Sequence, residues 1–245
     1  MILNQIRKTF GSGQSGKLSV ARPVPLADYP DPALNREASE WEVNNWVVSD
    51  FVVQQLYPVV GVRPFPLQEL MLMVSSVCHF KPTHIFEWGT HIGKSARIFY
   101  ETTRTFSIPA QIHSIDLPDD VTHVEHPGSE RGLLVKGLPG VHLHQGDGLG
   151  ISLALCKQLK AERPLFFVDG DHAYESVKRE LSGILNEIHA PAVLLHDTFY
   201  QSAPSGYNIG PCQAIRDVLR DYSGYRSLST QMGLPGMTLV YKHSH

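Results

Sequence analysis

Five acids recur along the chain at intervals of one structural unit: Glu87, Asp116, Asp147, Asp169 and Asp197, separated by 29, 31, 22 and 28 residues. Each lies at, or just past, the end of a short apolar run: "HIFEW", "IHSID", "VHLHQ", "LFFVD" and "AVLLHD". One such acid would be a turn residue or a helix cap. Five in succession put negative charge along one edge of a sheet, where α/β proteins hold their ligands. Two histidines stand among them. His172 closes "VDGDH", and His196 directly precedes Asp197. Histidine near neutrality can take a proton from a reacting group or hold a metal ion.

The first acid belongs to a glycine loop, "EWGTHIGKS" (residues 87–95), one residue short of the phosphate-binding spacing G-x-x-x-x-G-K-[ST]. An upstream segment, "GSGQSGKL", has the right gap from Gly11 to Gly16-Lys17, but Leu18 replaces the hydroxyl residue. It lies in a stretch rich in Gly, Ser and Pro with no strand before it and no helical period after it, so the match has no mechanism. A triphosphate, with about four negative charges, wants backbone N–H groups, Lys and Mg²⁺ around it, and Glu87 would repel it. A cofactor with a positive centre and several hydroxyls suits the same carboxylates. S-adenosylmethionine has a sulfonium, an ammonium, a ribose diol and an adenine amine, and no phosphate.

The elements that must position these residues follow a regular alternation from residue 84 onward. The five apolar runs read as strands, with helical segments over 94–104, 149–160 and 174–188, and this spacing predicts βαβ units in a mainly parallel sheet. A helix near 211–222 and apolar stretches near 224–230 and 237–242 predict a closing hairpin at the sheet edge. Upstream, Leu67, Leu70, Met71, Val74, Val77 and Cys78 recur at helical spacing after Pro66. Residues 37–57 space Trp41, Trp46, Phe51, Val52 and Leu56 as an interrupted amphipathic helix would.

At 245 residues, 42% hydrophobic and 18% charged with a formal net charge of −3, the composition suits one α/β core plus a modest appendage. It gives no pull toward nucleic acid or an anionic membrane. No apolar run approaches the roughly 18 residues of a spanning helix, and the polar start lacks the core of a signal peptide. Cys78, Cys156 and Cys212, far apart and odd in number, read as reduced thiols, so a cytoplasmic setting is expected.

Taken together, "FEWGTHIGKS", "VDGDHAYESV" and "LLHDT" resemble, in order, the first, fourth-strand and fifth-strand motifs of class I S-adenosylmethionine-dependent methyltransferases. The second is similar to the branch of O-methyltransferases that acts on sugars and natural products, and the resemblance covers about residues 65 to 242. It implies a Rossmann-like fold: a seven-stranded, mainly parallel sheet with helices on both faces and a C-terminal antiparallel hairpin. By the same resemblance, Gly89 and Gly93 admit the methionyl part of the cofactor, with Glu87 beneath it. Ser95 bonds the methionyl carboxylate, Asp116 the ribose hydroxyls, and Gly146-Asp147-Gly148 the adenine edge, with Asp147 accepting from its amine. Lys94 has no role in the family and reads as a solvated helix residue.

Related O-methyltransferases hold Mg²⁺ with the acid ending strand four and a pair ending strand five. The matching positions are Asp169 and His196-Asp197, and a histidine in that set leaves room for Mn²⁺ or Zn²⁺ beside Mg²⁺. The competing expectation makes His172, beside Asp169, the general base without a metal. The metal is preferred, because Asp169 and Asp197 are hard to place near a nucleophile without a cation between them. The acceptor is expected to be a small hydroxylated molecule, enclosed by residues 199–211 and the N-terminal segment. Residues 1–64 are expected to form an arm and a helical lid or homo-oligomer contact, and residues 65–245 the catalytic domain. Two rivals remain at this point. A nucleotide-dependent oxidoreductase with a modified Rossmann loop is disfavoured by the absence of G-x-G-x-x-G. A non-catalytic cofactor-binding subunit is disfavoured by the intact "VDGDH".

Overall fold

The computed structural model describes residues 29–33, 41–123, 127–199, 209–230 and 232–242. The upstream P-loop look-alike, and most of the 199–211 loop expected to face the acceptor, lie outside them.

Five strands run parallel: β1 (His84–Trp88), β2 (Gln111–Asp116), β3 (Val141–Gln145), β4 (Leu165–Val168) and β5 (Ala192–His196). A hairpin of β6 (Tyr225–Ser229) and β7 (Met237–Lys242) adds to β5 in antiparallel sense, so the order is β3-β2-β1-β4-β5-β7-β6. The sheet expected from sequence is the one observed. Strand order reverses between β1 and β4, and the register makes that reversal a ligand edge. Trp88 stands beside both Ile115 and Val168, and Val168 beside Leu195. The residues that follow, Gly89, Asp116, Asp169 and His196, are thereby brought level at one rim.

Strand alternation feeds two cores. On one face, Ile85, Leu165, Phe167 and Leu194 pack against helices α1, α2 and α3: α1 is Asn45–Phe51, α2 Leu67–Phe80 and α3 Lys94–Thr105. On the other, Phe86, Phe166, Val193 and Leu195 meet α4 (Gly148–Gln158), α5 (Tyr174–Glu187) and α6 (Gly210–Asp221). Burial of this apolar area from water is the main term holding the layers together.

α1 starts where the Asn44 side chain accepts from the backbone N–H groups of Trp46 and Val47. It runs on through a π-helical stretch, Val52–Leu56, into a last α turn, Tyr57–Val60. That π stretch is the interruption in the apolar spacing. Val48, Phe51, Val52, Leu56 and Val60 are all buried in the same core as the sheet, while Trp46 points to solvent. Residues 45–60, part of the 1–64 segment expected to form an arm and a helical lid or homo-oligomer contact, pack into this core.

Candidate active site

The glycine loop follows β1 and must pass close to its neighbours. Gly89 has φ +93, and a Cβ built there would lie 2.0 Å from the Asp169 carbonyl oxygen, so only glycine fits. Gly93, φ +87, opens α3 against Val135 and Gly132. Behind the loop Glu87 is 1% exposed. The Ser114 hydroxyl donates to it. Burial pushes the Glu87 carboxyl up to about 7, against the pull of hydrogen bonds from Ser114 and Ser95. Ser95 is therefore turned toward Glu87 as well as lining the cavity above the loop.

That cavity, about 1570 Å³, runs along the carboxyl ends of β1, β2, β4 and β5. Gly89, Ser95, Asp116, Gly146, Asp147, Asp169, His172, His196 and Asp197 all line it. Asp116 accepts from the backbone N–H groups of His91 (2.9 Å) and Leu117 (2.8 Å), which fix its carboxylate at the rim. A carboxylate has about four acceptor sites, so two hydroxyls can still be bound. Asp147 is different. It is exposed and caps α4, its Oδ2 accepting from Gly150 N at 2.8 Å, with Arg179 3.4 Å from its Oδ1. Lys94, expected in solvent, is half-buried in the cavity wall, where its ammonium donates to the Arg63 carbonyl and burial lowers its pKa.

At the β4–β5 end three carboxylates and two imidazoles alternate. Glu69, fully buried on α2, accepts from His196 Nε2 at 3.0 Å and from Gly236 N at 2.8 Å. His196 Nδ1 lies 2.9 Å from Asp169 Oδ1. His172 Nε2 lies 3.7 Å from the same Asp169 oxygen and 3.1 Å from Asp197 Oδ2. Burial disfavours a charged His196, but the Asp169 charge and the hydrogen bonds to Asp169 and Glu69 outweigh it and push its pKa up to about 10. Burial likewise opposes charge on His172, and its bond to Asp169 with the charges of Asp197 and Asp169 raises it nonetheless. Asp169 is held below the usual carboxylate range: burial would raise it, and His196 and His172 more than reverse that. Asp197 sits in the left-handed region, φ +56, a conformation that costs roughly 1–2 kcal/mol for most residues and that Asp tolerates better than most.

Of the expected metal set Asp169, His196 and Asp197, two members belong to the group of ligand atoms that converges among the described residues. His196 instead spans two carboxylates, its Nε2 3.0 Å from Glu69 Oε2 and its Nδ1 2.9 Å from Asp169 Oδ1. Its position on β5 has the parity of Leu194, so its ring turns to the α2 side, toward Glu69. The ligand atoms that converge, all within 4.8 Å of one another, belong to Asp169, His172 and Asp197. Asp169 and Asp197 both line the cavity at the edge where sequence reading expects them, and Glu69 is a residue that sequence reading missed. The available signal was helical: Glu69, Met73 and Ser76 form a second buried line on α2 beside the apolar stripe.

Residues 86–198 match the family model of a methyltransferase domain. No curated protein is similar enough in sequence to count as a relative. Among solved structures, the methyltransferase PaMTH1 of Podospora anserina, bound to S-adenosylhomocysteine, is similar at TM-score 0.53 and 17% identity over 82% of this chain and 88% of its own. A TDP-rhamnose 3'-O-methyltransferase of calicheamicin biosynthesis, CalS11, is similar at TM-score 0.50 and 17% identity, covering 79% of this chain and 86% of its own. At that identity the likeness concerns fold. The sheet has the fold of these methyltransferase structures, and among the described residues no helix is long and apolar enough to cross a membrane.

Proposed function

We propose that this methyltransferase fold carries a methyl group from S-adenosylmethionine to a hydroxyl oxygen of a small molecule. The single observation that carries the reading is the level row of Gly89, Asp116 and Asp169 around the strand-order reversal, opening on one cavity. An acid at the end of β2 suits a ribose diol, the N-terminus of α3 suits a carboxylate, and the surrounding carboxylates suit a sulfonium and an ammonium. The cavity has room for a second molecule beside such a cofactor. The acceptor's chemistry, a hydroxylated sugar, phenol or natural product, is supported by what CalS11 acts on and by the motif order of this chain.

Asp169, His172 and Asp197 fit a divalent ion of the kind that accepts one nitrogen and two oxygens, Mn²⁺ or Zn²⁺ more readily than Mg²⁺. Such an ion would supply Lewis acidity that lowers the acceptor hydroxyl's pKa. In this reading His196 is the residue that orients Asp169, and Glu69 orients His196. A second reading is favoured by the 3.1 Å approach of His172 to Asp197. There the acid would orient the imidazole, and His172 would take the acceptor's proton as general base. In both, much of the acceleration comes from alignment of oxygen, methyl carbon and sulfur in the cavity, with about 7–11 kcal/mol as the scale for well-oriented reactants.

Calorimetric titration with S-adenosylhomocysteine, ATP and NAD tests the cofactor. Binding of the first alone is expected, and Asp116→Ala should weaken it by about 10–100-fold, the loss of charge-assisted hydrogen bonds. ATP or NAD binding without S-adenosylhomocysteine binding would overturn the reading. Mn²⁺ titration of the chelator-treated protein separates the two readings of the histidine cluster. Saturable binding that His172→Ala removes supports the ion. Its absence leaves His172 as the base.

A further inference from the structure

The cavity wall holds two buried polar side chains that none of the roles above uses. Glu180 lies on α5 in line with Val177, Leu181 and Ile184, a position whose helical period calls for an apolar residue. It is 5% exposed and lines the cavity together with Trp88. Glu180 Oε2 and Trp88 Nε1 are both buried without a well-formed hydrogen bond among the described residues. Burial pushes the Glu180 carboxyl up to about 7, against the pull of Arg179 and of the nearby Trp88 indole. Trp88 is held from two sides: a Cβ on Gly148 or Gly170 would come within 2.4 or 3.1 Å of its ring system.

The pair stands next to the segment that the resemblance assigns to the adenine. Arg179 Nη2 is 3.4 Å from Asp147 Oδ1 and 3.9 Å from Glu180 Oε1, so the two acids flank a single guanidinium nitrogen. Asp147 is the poorer reader of the two. It is solvent-exposed, and one of its oxygens already caps α4. An exposed carboxylate discriminates weakly, because water competes for every hydrogen bond it offers. A buried group left unpaired costs about 1–3 kcal/mol, so a ligand that completes it is strongly preferred to one that does not. An acceptor oxygen beside a fixed indole N–H presents one acceptor and one donor, which is the complement of the amine and adjoining ring nitrogen of an aminopurine.

We propose that Glu180 and Trp88 read the aminopurine of the nucleoside cofactor, Glu180 accepting from its exocyclic amine, and that Asp147 serves the α4 cap. This rests on the cavity taking an adenosyl cofactor, as argued above. A ligand in which the amine is replaced by a carbonyl would set oxygen against the Glu180 carboxyl and place a ring N–H where Trp88 offers its own.

The test is calorimetric binding of S-adenosylhomocysteine and its deaminated analogue, S-inosylhomocysteine, to wild type, Glu180→Gln and Glu180→Leu, with circular dichroism confirming the fold. Wild type should prefer the amine by about 10–100-fold, Glu180→Leu should bind the two within about threefold of each other, and Glu180→Gln, which keeps an acceptor oxygen, should retain wild-type affinity for S-adenosylhomocysteine within about threefold. Equal wild-type affinity for both ligands overturns the proposal. So does a folded Glu180→Leu that still discriminates, or one that weakens both ligands equally, the mark of a purely structural acid. If wild type binds neither ligand, the adenosyl reading itself fails, a result visible before any variant is made.

Discussion

Two groups of histidines sit on one sheet and are driven in opposite directions. His172 and His196 stand at the carboxyl ends of β4 and β5 among Asp169, Asp197 and Glu69, and both have raised pKa values. His84, His113 and His144 lie on β1, β2 and β3, on the face shared with Phe86, and all three are lowered. Burial disfavours charge in both groups, and it is the largest influence on each. What differs is the company. His113 stacks on Phe86 and His142, with ring centroids 5.0 Å away in each case, and its Nδ1 is 3.2 Å from His144 Nε2. Among the described residues it meets rings and other imidazoles and no carboxylate, so burial, helped by His142, His144 and His84, takes its pKa down to about 4. At the other end carboxylates overturn the same penalty. A histidine's identity thus says little about its charge; the side chains around it decide whether it is a cation or a neutral ring.

The comparison breaks most severely where a carboxylate is taken away from the cationic group. Glu69→Ala removes the partner of His196 Nε2 and of Gly236 N inside the core. Removing one member of a buried charged pair costs about 3–5 kcal/mol, which urea denaturation at neutral pH would read directly. An unchanged midpoint would mean that His196 is neutral in the folded protein and that the contrast between the groups is false.

The neutral group should reveal itself in acid. His113 has a folded pKa of about 4 against the usual 6.5, so the unfolded chain binds the proton more readily. Its contribution to stability is complete above pH 6.5 and is lost as pH falls through about 4. His113→Phe keeps the stack on Phe86 and removes the titration. The wild type should lose more stability than the variant between pH 7 and pH 4, and the two should stay parallel in alkali. His196, raised to about 10, has the opposite sign: its contribution is complete below 6.5 and is lost as pH climbs through about 10. Parallel acid limbs for wild type and His113→Phe would assign the acid sensitivity to carboxylates alone.

The smallest effect is expected at an acid of the same row that has no histidine beside it. Asp147→Ala should remove only the cap of α4, at about 1 kcal/mol, again by urea denaturation. A loss as large as that of Glu69→Ala would show that Asp147 has buried partners in solution that its exposed position does not suggest.

Much of this molecule is determined by the linear pattern. Apolar runs ending in acids, at intervals of one βα unit, define parallel strands with carboxylates at their carboxyl ends, and Gly89 and Gly93 mark a loop of positive φ after the first of them. These are local and periodic signals, set by side-chain alternation and backbone sterics, so the sheet, its closing hairpin and the edge that bears the site follow from them. Partner choice across the fold does not. Glu69 and His196 are 127 residues apart, and only the packing of α2 on β5 brings them into contact and sets a buried carboxylate against the His196 ring. Asp147 and Asp169 look alike in sequence, yet one ends in solvent as a helix cap and the other between two imidazoles. Glu180 occupies a position whose period asks for an apolar side chain, and only its place on the cavity wall beside Trp88 gives the carboxyl something to recognise. Charge and coordination depend on distances of a few ångströms between remote segments, and those distances exist only once the layers are packed.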